Sequence, residues 1–395
     1  MQVAGTRRQK LMVKEGQKLQ YDTIKVRLYP TEPQKELFQK TFDCCRYIWN
    51  QMLSDEQEFY AATDKHFIPT PAKYKKEAPF LSEVDNQALI QEQNKLSQAF
   101  RVFFKDPHHF GHPNFKRKKD DRDSFSVCNC FSSSGSTLYI SRDGVRMTKA
   151  GVVKAKFSRY PQSGWELKRL TVERTKSGLY FGYLLYGHVV QCPQPMQPTP
   201  ETSIGLKSSI PHFYVTDRGD KADPPQWMKA SEEKLKKLQR SLSRMKPGSK
   251  NYIEQVRKYR ALHEHIANQR RDYLHKESTR IAKEWDAVCV RADSLEALSR
   301  EMRLANISDY GFGMFREMLS YKLERLGKPL LLVERYTPTT RVCAACGCVL
   351  DAPVNWKRRT WVCPECGAVL DREQNAAKNI KAAGLAQYLD TQKSA

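Results

Sequence analysis

The stretch "TSIGLKSSIPHFYVTDRGD", residues 202–220, decides how the second half of this chain folds. It reads as a strand, a turn and a second strand that closes on Asp217-Arg218-Gly219-Asp220. Lys207 stands in the middle of the first strand, and it is the residue that has to be explained.

Downstream, two long helical runs are predicted over about 229–246 and 251–285, separated by Pro247-Gly248-Ser249. "DAVCVRADSL" (286–295) reads as a short buried strand. "GFGMFREMLSYKLERLGKPLLLVERY" (311–336) gives a helix ending at Gly327 and then an apolar strand. A cysteine-rich segment, 337–368, precedes a final helix, "DREQNAAKNIKAAGLAQYL". This order of elements predicts an α/β layer architecture interrupted by a small metal knuckle.

Upstream, "QCPQPMQPTPETS" (191–203) carries four prolines and reads as a linker. Before it, 126–190 holds short strands with Ser-Gly and Asp-Gly turns. Ile24, Val26 and Leu28 alternate as a strand does, and Thr31 can cap a helix carrying Leu37, Phe38, Phe42, Ile48 and Trp49. A second helical run over 82–104 carries Leu89, Ile90, Leu96, Phe100 and Phe103. Residues 1–22 read as a mobile basic arm. There are no internal repeats.

The chain has 395 residues, enough for two to three cores. Its 67 Lys and Arg against 44 Asp and Glu give a formal net charge of +23. That excess concentrates polyanions around the surface, and 10% aromatic residues supply stacking partners for bases, so nucleic acid is the leading partner. No run approaches the ~18 consecutive apolar residues of a membrane span, and the first 22 residues lack an apolar signal core. The cysteine pattern and the basic start predict a reduced, cytoplasmic compartment and no membrane partner.

Cys343-x-x-Cys346 and Cys363-x-x-Cys366 are separated by 16 residues, and Gly347 and Gly367 follow the two pairs. A C-x-x-C turn sets two sulfurs on one side, and an antiparallel ribbon brings the second pair opposite, which suits tetrahedral zinc. Four filled ligands make that one zinc structural and not catalytic. The competing reading is four unligated core or redox cysteines. Cys348 is expected to be a bystander.

Several segments together resemble the TnpB family, transposon-encoded RNA-guided nucleases related to type V CRISPR effectors. They are "VRLYPTEPQKELFQKTFDCCRYIWN", "FFKDPHHFGHPNFKRKK", "GSKNYIEQVRKYRALHEHIANQRRDYLHKESTRIAKE", "YTPTTRVCAACG" and "DREQNAAKNI", in order over about 23–385. The resemblance implies a multi-domain α/β protein. A wedge-type β-barrel (23–31 and 126–190) would contain an inserted helical recognition domain (32–125). After the linker would come a RuvC-like RNase H fold (204–336), a zinc ribbon (337–369) and a C-terminal helix and tail (370–395). It also implies a guide RNA and a double-stranded DNA target read beside a short flanking motif.

RuvC-type nucleases hold two divalent ions on acidic side chains, because magnesium demands hard oxygen ligands. On the family's pattern, the first acid falls on Lys207 after Ile204-Gly205-Leu206, the second on Arg291 after Val288-Cys289-Val290, and the third on Glu373. The glycine that usually follows the first acid is changed to Ser209. Two cations and one anion thus stand where three carboxylates would. Like charges at contact range cost roughly 1–4 kcal/mol per pair under water-like to surface-like screening, so no catalytic magnesium is expected. The first expectation is therefore a nuclease-dead, RNA-guided DNA binder that represses transcription by occupying its target. The alternative is an active metal-dependent endonuclease rescued by Asp217, Asp293 or Asp371. A third is an inactive remnant, or a protein that only matures or sequesters its guide.

For phosphate contacts the sequence offers Lys116, Arg117, Lys118 and Lys119, with Phe110 and Phe115 for stacking, against a simply solvated charge run. Arg270, Arg271, His275 and Lys276 share a helix, against a salt-bridged surface. Lys357, Arg358 and Arg359 sit at the expected ribbon tip, against a flexible basic loop. For the flanking motif the resemblance points to Tyr47, Asn50, Gln87 and Gln91, since amides can pair with adenine edges. Burial of Tyr47 in the helix core is the competing reading.

Overall fold

A computed structural model describes residues 13–118, 123–132, 135–209, 212–222, 227–293, 310–352, 354 and 358–393. The chain divides into two compact units, one running to Gln191 and one starting at Cys192.

The first unit is built on β1 (Gln17–Tyr29), whose alternate residues Ile24, Val26 and Leu28 are buried. This strand starts at Gln17, well before the apolar alternation that begins at Ile24. Gln17 to Leu28 pair antiparallel with Gln191 to Tyr180, so ladder hydrogen bonds hold a stretch whose Leu19 and Tyr21 fall out of phase with Ile24, Val26 and Leu28. Residues 17–22 therefore belong to the sheet and not to a basic arm; residues 1–12 lie outside the described residues. Helix α1 (Glu32–Thr63) follows at once. The Thr31 N–H donates to Gln34 Oε1 at 3.0 Å, and the Gln34 amide donates to the carbonyls of Ala150 and Val152. One glutamine thus closes the helix start and fastens it to the sheet.

Two short 3₁₀ turns lead to α2 (Asn86–Lys105), capped by Asp85, whose Oδ1 accepts from the Gln87 N–H at 2.8 Å. The strands then run β2 (Asp123–Cys128), β3 (Phe131–Ser132), β4 (Gly135–Ser136), β5 (Tyr139–Ser141), β6 (Gly144–Met147), β7 (Gly151–Phe157), β8 (Glu166–Arg174) and β9 (Tyr180–Gln191). β2 opens at Asp123, a few residues before the strands expected from 126. Seven strands form an antiparallel half-barrel sheet in the order β2-β8-β9-β1-β7-β6-β5. The two helices cover its apolar face: the rings of Phe38 and Phe42 each lie 5.5 Å from Phe125.

In the second unit β10 (Ser203–Ser208), β11 (Tyr214–Thr216) and β12 (Lys221–Ala222) precede α3 (Trp227–Ser243) and α4 (Lys250–Glu284). The α3–α4 turn places Gly248 at φ +82°, in the left-handed region. Then come β13 (Ala287–Arg291), α5 (Phe312–Arg325), β14 (Leu330–Val333), β15 (Thr360–Val362), β16 (Val369–Asp371) and α6 (Arg372–Lys393). The main sheet has the order β12-β11-β10-β13-β14, with β10, β13 and β14 parallel. Leu274 and Ile281 of α4 and Phe315, Leu319 and Leu323 of α5 pack with Ile204, Leu206 and Val288 in one core. Helix α6 lies on the sheet where Gly205 permits it: a Cβ there would fall 2.2 Å from the Ala377 carbonyl oxygen. Among the described residues no helix is long and apolar enough to cross a membrane.

Candidate functional site

Register fixes where the three aligned positions stand. Leu206 pairs with Val290 on adjacent parallel strands, so Lys207 and Arg291 each follow one residue on, toward the C-terminal ends. Open α/β sheets bind ligands at that end. Glu373 is in the first turn of α6, and its Oε1 accepts from Ser209 Oγ at 2.7 Å, just past β10. Lys207 is buried, with 7% of its surface exposed, and its backbone pairs with Val215. Arg291 Nε lies 2.8 Å from the Asp293 carboxylate.

The three neighbouring acids have duties of their own. Asp217 is buried; its Oδ1 accepts from the Gly205 N–H and its Oδ2 from Lys381 Nζ, each at 2.9 Å. Asp293 faces Arg291, while its backbone carbonyl accepts from Arg316 at 3.1 Å. Asp371 Oδ1 accepts from the N–H groups of Glu373 (2.9 Å) and Gln374 (3.0 Å), capping α6. Burial opposes its ionisation, but these two donors, with Lys221 and Arg359 nearby, hold the carboxyl below its ordinary range. Among the described residues, the one group of three or more His, Cys, Asp or Glu placed to share a metal ion consists of cysteines.

That group is Cys343, Cys346, Cys363 and Cys366, with all four sulfurs within 4.8 Å of one another. Each C-x-x-C-G turn closes in the same way. The Gly347 N–H donates to the Cys343 carbonyl at 2.8 Å, the Gly367 N–H to the Cys363 carbonyl at 3.0 Å, and both glycines have positive φ. Cys343–Cys366 and Cys346–Cys363 sulfur separations of 3.8 and 3.7 Å suit four thiolates around one ion of tetrahedral preference. Cys348 packs beside them with Trp361 and Leu370. Two asparagines absent from the sequence-level candidates hold this knuckle to α6. Asn375 donates to the Val342 carbonyl and accepts from the Ala344 N–H, and Asn379 donates to the Thr339 and Val342 carbonyls. Their i, i+4 spacing on one helix face was the available signal.

The expected nucleic-acid contacts fall into two groups. Some are occupied within the fold. Tyr47 is half-buried, edge-on to Phe80 at 5.3 Å. Both ends of the Asn50 amide bind the Lys116 backbone, at 2.8 and 3.0 Å. Lys116 Nζ sits 2.6 Å from the fully buried Glu92 and 3.8 Å from the centre of the Trp49 ring. Gln91 is buried, while Gln87 and Arg270 are half-buried. Others are at the surface: Arg117, Lys118, Phe110, Phe115, Arg271, His275, Lys276, Arg358 and Arg359 are exposed. Lys276 pairs with Asp272 at 2.6 Å, and Arg359 lies 3.6 Å from Asp371. Partial burial and the cations of Lys322 and Arg271 push the His275 imidazole below its ordinary pKa. Lys119 and Lys357 lie outside the described residues.

Comparison with known proteins places this geometry. Residues 312–380 match the family described as "Cas12f1-like, TNB domain", and residues 187–297 one described as "Probable transposase". A "Helix-turn-helix domain" family matches residues 21–65, which fold here as most of β1 followed by α1. A Streptomyces pristinaespiralis protein named "Putative RNA-guided DNA endonuclease" is 32% identical over 375 residues, covering 92% of this chain and 89% of that protein. The chain belongs to the TnpB family. Another TnpB-family relative, the Escherichia coli K12 protein named "Putative RNA-guided DNA endonuclease InsQ", is 27% identical, with 92% of each chain covered. The solved structure titled "Cryo-EM structure of the Cas12f1-sgRNA-target DNA complex" superposes with a TM-score of 0.57 at 11% identity, covering 93% of this chain and 99% of that one. The likeness is one of fold: mixed α/β, Cas12f- and TnpB-like.

Proposed function

We propose that this TnpB-family chain is an RNA-guided, sequence-specific DNA-binding protein without nuclease activity. It occupies a guide-matched double-stranded target beside a short flanking motif and thereby represses transcription in a bacterial cytoplasm. In this reading the half-barrel sheet and its helical insertion are the wedge and recognition domains, and the five-stranded sheet is the RuvC-like RNase H fold. The observation that carries it is the reversal of charge at two of the three aligned acid positions, Lys207 and Arg291. Two magnesium ions there would meet cations on adjacent strands in place of oxygen ligands. Asp217, Asp293 and Asp371, the acids that could rescue cleavage, are each already engaged, by Gly205 and Lys381, by Arg291, and by the α6 amides.

Guide pairing would read the sequence, and the protein would read duplex shape and the flank. Arg117, Lys118, Arg271, Arg358 and Arg359 are exposed and would meet phosphates in preference to Asn50 and Lys116, whose side chains are engaged within the fold. Cys343, Cys346, Cys363 and Cys366 would hold one zinc ion, which supplies a structural cross-link between the two turns and no chemistry of its own.

The test is to purify the protein with its co-expressed RNA, sequence that RNA, and build a matching duplex with a randomised flank. Binding and cutting are then assayed together in magnesium. Guide-dependent binding with intact DNA is the expected result. Cutting at the guided site would overturn the proposal in favour of an active endonuclease.

A further inference from the structure

The C-terminal ends of α1 and α2, with the segments that follow them, carry a linked set of aromatic side chains. The rings of Phe59 and Phe67 lie 5.6 Å apart, and His66, beside Phe67 in the chain, meets Phe104 edge-on at 5.2 Å. Phe103 extends the set, 5.3 Å from Phe104 and 5.4 Å from His112. The set is anchored from within. His66 Nδ1 lies 2.7 Å from Oε1 of the buried Glu56, and its ring packs 4.6 Å from the fully buried Phe100. Yet Phe59, Phe67 and Phe104 are 38, 54 and 51% exposed, and His66 and His112 are exposed beside them. Aromatic side chains bury ~150–250 Å² each when covered, so these three phenylalanines leave roughly 200–350 Å² of ring surface in water. An ordered, contiguous apolar patch of this size is often an interaction site.

The charges that flank these rings in sequence say what covers them. Glu58, Asp64 and Asp106 stand with Lys65, Arg101 and Lys105, and all six are exposed. None of the six forms an ion pair with another described residue. Three acids and three cations cancel, in a chain whose net charge is +23. A surface built for a polyanion would carry the chain's excess of cations, and this one does not. We infer that this face is where two copies of the chain associate. In a two-fold dimer each contact is made twice, so the cations of one copy can meet the acids of the other while the rings pack at the centre. An aromatic centre inside a polar, charged rim is the usual make-up of a protein–protein interface. The exposed rings fall short of the ~800 Å² per partner of a standard interface, so the rim must contribute and the dimer is reversible. This association goes beyond guided DNA binding and does not depend on it.

The experiment is sedimentation equilibrium of the full-length chain with its co-purified RNA, over a concentration series. The wild type should pass from one protein chain per particle to two as concentration rises. Phe67→Ser combined with Phe104→Ser should weaken that association at least about tenfold, a difference of ~1.4 kcal/mol. Should that double variant fail to fold, a charge exchange tests the same face. Lys65→Glu with Lys105→Glu makes the rim acidic, and Glu58→Lys with Asp106→Lys makes it basic. Each of these variants should stay single by itself, and an equimolar mixture of the two should restore particles with two chains. A wild type that stays single throughout, dimers indifferent to every folded variant, or a charge mixture that stays single overturns the assignment. Loss of the co-purified RNA from the phenylalanine variant also overturns it, because the rings would then be a stacking surface for bases. Particle mass is read with no target DNA present, so this result is separable from the outcome of the guided-binding assay.

Discussion

A methyl group added at Gly205 would lie 2.2 Å from the Ala377 carbonyl oxygen and 2.9 Å from Lys381 Cβ. Backbone on one side cannot swing away, so α6 itself would have to lift from the sheet. Gly205→Ala is expected to cost ~1–3 kcal/mol, read as a lower urea midpoint with an unchanged slope. Two positions further on, Lys207 is expected to resist simple reversal. Lys207→Asp leaves Arg291 on the neighbouring strand and should leave guided DNA uncut in magnesium; cleavage by that single variant would show that the charge reading is mistaken. The strand that carries Lys207 was legible in sequence because Ile204-Gly205-Leu206 leads into it. The engagement of Asp217 was not, because its partner Lys381 lies 164 residues away and no local pattern links the two.

At the scale of elements, α1 and α4 were legible because capping residues mark them: Thr31 and Ser249 precede helices whose apolar positions recur at helical spacing. The start of β1 was hidden because Leu19 and Tyr21 fall out of phase with Ile24, Val26 and Leu28, and residues 17–22 are held by the β9 ladder, a tertiary cause. The cysteine turns were legible from spacing alone, while their attachment to α6 through Asn375 and Asn379 was not. Asn375→Ala leaves the Ala344 N–H without its side-chain acceptor and is expected to cost ~1–3 kcal/mol, seen as faster hydrogen exchange across the cysteine turns. The contact between α4 and α5 makes a pH prediction. Lys322 Nζ donates to the His275 carbonyl, Ser278 Oγ and Thr279 Oγ1 at 2.7–2.8 Å, and burial pushes its pKa down to about 8 from 10.5. Between these two values the unfolded chain binds more protons than the folded one, so Lys322 makes stability rise with pH across that window. Lys322→Met should flatten the slope over the same range in denaturant titrations.

On the scale of the whole molecule, the controlling quantity is the net charge of +23 spread over 395 residues. The sequence disclosed that charge and the class of partner it attracts. It could not disclose which cations remain available, because that depends on tertiary pairing: Lys116 is drawn to a buried glutamate, whereas Lys118 and Arg358 stay at the surface. Two contributions to DNA affinity can be separated on this basis. Guide pairing adds a term that depends on sequence match, and exposed cations add one that depends on released counterions. Raising salt should weaken matched and mismatched duplexes with a similar slope, because both present the same phosphates. A protein making 6–10 phosphate contacts loses roughly 10³–10⁵ in affinity between about 50 and 200 mM salt, and a steep fall of that kind is expected here. Replacing an exposed cation such as Arg358 should reduce the slope by about one unit without changing the preference for matched target. The same replacement at Lys116 should leave the slope unchanged and lower stability instead, since its charge is already balanced by Glu92. Filter-binding isotherms across a salt series, for the wild type and both variants, measure these slopes directly. A flat wild-type response would mean that the exposed basic residues do not meet the backbone of the bound nucleic acid.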